Sequence, residues 1–149
     1  MSSMQRYIPA LLIAATAAVG FYVFQPAETA EAQQAKPDPK IITYTLPQDV
    51  KWEKGKERDH ATLPSDPGAT VELIRWHPGN MSRPHMHDTT RYIQVLEGTW
   101  WMGWGPEFDP DSTFPAPAGT SVVHHAGQLH YDGAKDEDAL LLIISVENK

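Results

Sequence analysis

Beyond Lys40 the chain shows no segment with a helical period and no internal repeat. Its apolar and β-branched residues come in short runs instead: Ile41 to Leu46, Val71 to Trp76, Tyr92 to Leu96, Thr99 to Trp104, Ser121 to His125 and Ala139 to Val146. Pro67-Gly68, Pro78-Gly79 and Asp132-Gly133 between them are turn signals, and Glu97-Gly98 reads as a tight hairpin turn. Thirteen prolines and ten glycines in 149 residues leave little room for long helices. The expectation is one all-β domain, a sandwich or a barrel, built around a single core. Lys51 to His60 reads as a solvated loop, and Asp136-Glu137-Asp138 as a solvated turn before the last strand.

The first 40 residues are of a different kind. Tyr7 to Phe24 is almost wholly apolar, follows a single Arg6, and leads into small residues with Ala30-Glu31-Ala32 as an A-x-A site. A cleaved export signal fits this pattern. The run is long for that purpose, so an uncleaved membrane anchor is the competing expectation. The sequence therefore divides into 1–32, signal peptide or anchor; 33–40, a proline-rich linker; and 41–149, the folded domain. A periplasmic or secreted location follows, with membrane contact only through the N-terminal segment if it stays attached. The single arginine gives no twin-arginine signal.

Charge and cysteine content remove several function classes. A formal net charge of -7 argues against nucleic acid as a partner, since a phosphate backbone demands a basic face. With no cysteine there is no disulfide framework, thiolate metal site or cysteine nucleophile. A metal ion would have to be held by nitrogen or oxygen.

Nitrogen ligands are present at a suggestive spacing. His85 and His87 are two residues apart, which on an extended strand turns both rings to one face, while Met86 between them points away. His130 sits in a later strand-like segment. Three imidazoles suit zinc, iron, manganese or nickel and leave positions open for water or substrate.

The surroundings of these histidines resemble the two sequence motifs of the cupins. Gly79 to Gly98 (GNMSRPHMHDTTRYIQVLEG) matches G-x5-H-x-H-x(3 or 4)-E-x6-G in both glycines and both histidines, and Gly119 to His130 (GTSVVHHAGQLH) matches the second motif in Gly119, Gly127 and His130. The resemblance extends from about Ile41 to Glu147. It implies a double-stranded β-helix, a jelly-roll barrel, with a divalent metal on His85, His87 and His130 near one mouth. A homodimer is also what the resemblance implies. Two departures stand out: the motif's glutamate is replaced by Arg91, and its proline by His125.

Losing the carboxylate changes the electrostatics. A divalent ion on three neutral imidazoles carries about +2, and a guanidinium beside it raises this to about +3, so an anion such as a carboxylate or enolate would be drawn in to bridge metal and Arg91. The alternative is that Arg91 pairs with Asp88, Glu72 or Asp132. His124 and His125 point to opposite faces, so only one can approach the ion; His125 is the candidate acid, base or supporting group. His60 and His77 read as surface or loop residues. Trp100, Trp101 and Trp104 belong either to core or subunit packing or to a pocket wall. The functional expectation is a metal-dependent cupin acting on a small anionic molecule, with dioxygenase chemistry if the metal is Fe(II), as in some three-histidine cupins. Zinc or manganese would instead polarise a carbonyl or activate water. The alternative is a non-catalytic module that binds a small ligand or a metal.

Overall fold

The structure, a computed structural model, describes residues 37–147. The expected signal or anchor, and the first half of the linker, lie outside the described residues. Nine strands follow in order: β1 (Arg58–Leu63), β2 (Ala69–Trp76), β3 (Asn80–Met81), β4 (Arg91–Glu97), β5 (Thr99–Trp104), β6 (Phe114–Pro117), β7 (Ser121–His124), β8 (His130–Ala134) and β9 (Ala139–Val146). They form two antiparallel sheets, one in the order β1-β2-β9-β4-β7 and the other β3-β8-β5-β6. Short turns at Pro47–Asp49 and Pro110–Ser112 are the helical elements among the described residues.

Strand β9 explains how the larger sheet is held. Its sequence ALLLIISV is nearly continuous in apolar residues, and it lies between β2 and β4 with neighbours on both edges. Ala139, Leu141 and Ile143 turn to the core, where they meet Ile74 and Trp76 of β2, Ile93 and Val95 of β4, and Trp100, Ala116 and Ala134 from the opposite sheet. Leu141 and Ala139 are fully buried. Burying a leucine of this kind contributes roughly 1.5–3 kcal/mol. Strand β6 carries Pro115 and Pro117, which lack an amide hydrogen; it lies at a sheet edge, where this is tolerated.

Several local expectations fail for identifiable reasons. Ile41 to Leu46 forms no strand, and Ile41 and Ile42 are 79% and 55% exposed. The run lies between Pro39 and Pro47 and has no pairing partner among the described residues. The stretch Lys51 to His60 is not all loop, because its last residues open β1 and pair with β2. Its charged character is misleading: Asp59 is buried but neutralised by Lys54.

Glu97-Gly98 is not a hairpin turn between paired strands. β4 and β5 belong to different sheets, and Gly98 is where the chain crosses. Its φ is +68°, and a Cβ there would run into the Asp138 carbonyl oxygen, so only glycine fits. Asp132-Gly133 is not a turn either: both residues lie inside β8, with Gly133 tight against the backbone of Asn80 on β3.

Candidate metal centre and ligand cavity

His85 and His87 lie on the irregular segment between β3 and β4, which backbone bonds stitch to β8. His85 and His130 exchange amide hydrogen bonds of 2.9 and 3.0 Å, the Ser82 amide donates to the Asp132 carbonyl at 2.8 Å, and the Gly127 amide donates to the His87 carbonyl at 2.9 Å. The three rings are thereby brought together with centroids 4.5–5.1 Å apart, and one ligand atom from each lies within 4.8 Å of the others. Met86 is 54% exposed and faces away.

Two hydrogen bonds fix which ring nitrogens are free. His85 Nδ1 lies 2.8 Å from the Arg83 carbonyl and His130 Nδ1 lies 2.9 Å from the Gln128 carbonyl. A carbonyl can only accept, so each Nδ1 carries the proton and each Nε2 keeps its lone pair. The His130 Nε2 is buried and has no hydrogen-bond partner. A buried acceptor left unsatisfied is costly, and a cation among these three nitrogens would satisfy it. The donor set therefore fits a divalent metal. Burial pushes His87 down to about 4, with the Arg91 guanidinium and the neighbouring imidazoles adding to it. Burial also lowers His130, so His87 and His130 are neutral near pH 7, as a metal ligand must be.

A cavity of about 410 Å³ opens beside this cluster. Its polar lining comprises His85, His87, Arg91, His124 and Asp132, with Arg58, His60 and Glu72 contributed by β1 and β2. Ile74, Trp76, Ile93, Trp100 and Ile143 supply apolar wall. The volume is that of a small-molecule site.

Arg91 is thus placed in the cavity. It makes none of the salt bridges among the described residues, and its buried Nε has no hydrogen-bond partner. The alternative pairing with Asp88, Glu72 or Asp132 is not formed. Glu72 instead takes His60 Nε2 at 2.8 Å, while Asp132 Oδ1 accepts the Trp100 indole hydrogen at 3.3 Å.

His125 requires correction. It is exposed and does not line this cavity; the inward imidazole is His124, whose Cα is paired with Arg91 across β4 and β7. Paired residues share a face, and the next residue along the chain turns away. His124 lies 4.0 Å from His130 and 5.3 Å from Trp100, centroid to centroid, and burial pushes it down to about 3. His60 is likewise a cavity residue, not a loop residue. His77 is half-buried between Asp59 and Asp138.

One acidic group lies beside the histidines. Asp132 is buried, and its Oδ2 lies 3.9 Å from His130 Nε2, too far for a hydrogen bond. Burial raises its carboxyl above the usual range, which weakens it as a counter-charge. The i, i+2 spacing of His130 and Asp132 on β8 was a signal for this placement. The three tryptophans divide: Trp100 is buried in the core and also reaches the cavity wall, Trp101 lies under Lys135, and Trp104 is 75% exposed.

No family model matches the chain, and no curated protein matches it. Solved structures do. The polyketide cyclase RemF from Streptomyces resistomycificus is 21% identical, with a TM-score of 0.60 over 72% of this chain and 80% of its own. An RmlC-like cupin from Shewanella frigidimarina is 14% identical, with a TM-score of 0.60 over 71% of this chain and 91% of its own. The domain has the cupin fold. Fe(II) HppE shares it at 19% identity and a TM-score of 0.53, over 70% of this chain and 60% of its own. The expectation of an all-β domain with this fold holds for the described residues, and the histidine cluster is one that could hold a metal ion.

Proposed function

We propose that this cupin holds a divalent metal on His85, His87 and His130 and takes a small anionic molecule, of carboxylate or enolate type, into the adjoining cavity. The supporting observation is the unpartnered Arg91 guanidinium on the same cavity as the imidazoles. Two arginines and two carboxylates line the space, so a divalent ion would leave it at about +2 before a ligand arrives. Such charge is costly in a partly buried site unless an anion offsets it, and a planar guanidinium can donate two parallel hydrogen bonds to a carboxylate.

The metal would supply Lewis-acid polarisation of a ligand oxygen or, as Fe(II), redox chemistry of the dioxygenase type. Arg91 would orient the anion, and Ile93, Ile143 and Trp100 would keep bulk water from its apolar part. The Fe(II) of HppE and the cyclase activity of RemF are properties of those proteins; they support the reading only as chemistry the fold can host. Tyr7 to Phe24 supports an extracytoplasmic location, periplasmic or secreted, where zinc is favoured over Fe(II) by the general affinity order. A homodimer and the absence of nucleic-acid partners complete the reading.

Elemental analysis of protein recovered from its own compartment, followed by calorimetry with a panel of carboxylic acids and diketones and by oxygen uptake with each, tests it. One metal per chain and saturable anion binding that depends on Arg91 are expected. Binding without turnover under every metal would reduce the protein to a ligand-binding module. Absence of both metal and anion binding would overturn the reading.

A further inference from the structure

We propose that the ligand of this cavity is a dicarboxylate with an apolar middle, its first acidic group beside Arg91 and its second held by Arg58 on β1. This rests on the anion-binding reading above and adds a second binding point to it. Arg58 lines the same cavity as Arg91. It forms none of the salt bridges among the described residues. Its guanidinium carbon lies 4.9 Å from the centre of the Trp76 ring, a buried part of the cavity wall. Stacking on that ring steers an otherwise exposed charge over the cavity.

The strand register keeps the two arginines apart. Arg58 is the Cα partner of Trp76, itself the partner of Ala139 on β9, whereas Arg91 is the partner of Ser145, six residues farther along that strand. Six residues of strand span about 20 Å, and β2 and β9 lie between β1 and β4. The guanidiniums therefore reach the cavity from different ends, set to hold two acidic groups rather than to close together on one. Between their rows the cavity wall carries Ile74, Ile93 and Ile143, which suit a hydrocarbon link.

Charge points the same way. Arg58 and Arg91 balance Glu72 and Asp132, so a divalent ion leaves about +2, which a monocarboxylate would halve and a dicarboxylate would cancel. Neither acid of the cavity answers Arg58 directly. Glu72 is engaged by His60 Nε2 at 2.8 Å, and Asp132 accepts the Trp100 indole hydrogen.

Calorimetry on the zinc-loaded, full-length protein tests this with succinate, glutarate and adipate, each set against the monocarboxylate of equal chain length. At least one dicarboxylate should bind about tenfold tighter than its match, the worth of one hydrogen bond to a charged group. Arg58→Met, whose side chain still covers Trp76, and Arg58→Gln should both erase that advantage and leave monocarboxylate binding unchanged. Arg75→Met removes the same charge from outside the cavity, where it packs on Trp52, and should preserve the advantage. The proposal is overturned by an advantage that survives both Arg58 variants or falls equally with Arg75→Met. Equal binding of the two series, both dependent on Arg91, also overturns it while leaving the anion-binding reading in place. If no carboxylate of either series binds, that reading has itself failed, a different and recognisable result.

Discussion

Two histidine-containing clusters lie within this one domain, and they differ in how completely their polar groups are satisfied. Near the start of β1, the buried Asp59 carboxylate accepts from the Lys54 ammonium at 2.6 Å, from the Gly55 amide at 3.3 Å and from His77 at 3.2 Å. His77 places its other ring nitrogen 3.6 Å from Asp138. The buried carboxylate there has an opposite charge in Lys54. At the histidine cluster and its adjoining cavity, by contrast, His130 Nε2 and Arg91 Nε are both buried and unpartnered. Folding tolerates such atoms only at a cost, so the comparison separates a cluster that holds the chain together from one kept for a visitor.

The sharpest way to break this contrast is to exchange the consequences of mutation. His130→Ala should lower Zn(II) affinity by more than about 100-fold, since a ligand matters more than the outer contacts worth 10–100-fold, and should leave a folded domain; competition against a chromogenic chelator measures this. Asp59→Asn should do the reverse, leaving zinc binding unchanged while destabilising the fold by about 1–3 kcal/mol through loss of charged hydrogen bonds, as read by urea unfolding. If Asp59→Asn impairs the metal site and His130→Ala does not, the division between the clusters is wrong. Arg91→Ala should keep zinc affinity but weaken oxalate binding to the zinc-loaded protein by roughly tenfold, the worth of one charged hydrogen bond, measured by calorimetry.

Acidity separates the same regions with the smallest effect. His87 and His124 are held at about 4 and about 3, below the 6.5 of a free imidazole. Between pH 6.5 and 4 the unfolded chain binds more protons at these positions than the folded one, so their contribution is full above 6.5 and is lost as pH falls. The Lys54 ammonium and its hydrogen bond hold Asp59 below the usual carboxylate range, so its contribution is lost only below about 3.8. The melting temperature of metal-free protein should therefore fall first between pH 6.5 and 4, and His124→Phe should reduce that first step while Asp59→Asn leaves it in place.

The sequence made the β architecture readable wherever apolar alternation was strong: Thr99 to Trp104 and Ala139 to Val146 appear as strands with those boundaries. It concealed β1, because Arg58, His60 and Asp59 read as surface when two of them line a polar cavity and the third is paired. It also concealed the change of sheet at Gly98, since a glycine after a strand looks the same whether the chain folds back or crosses over. In the site, the H-x-H spacing brought out His85 and His87, but choosing His124 over its neighbour His125 required knowing which face of β7 turns inward. Arg91 was visible as a departure from the motif; its lack of a counter-ion was not, because pairing depends on where Glu72 and Asp132 end up.

Anomalous diffraction from crystals grown with zinc tests the central claim most directly. A single zinc peak within bonding distance of the Nε2 atoms of His85 and His130 and of a His87 ring nitrogen is the predicted result. Well-ordered rings in zinc-saturated crystals with no peak between them, or a peak held elsewhere in the domain, would contradict it.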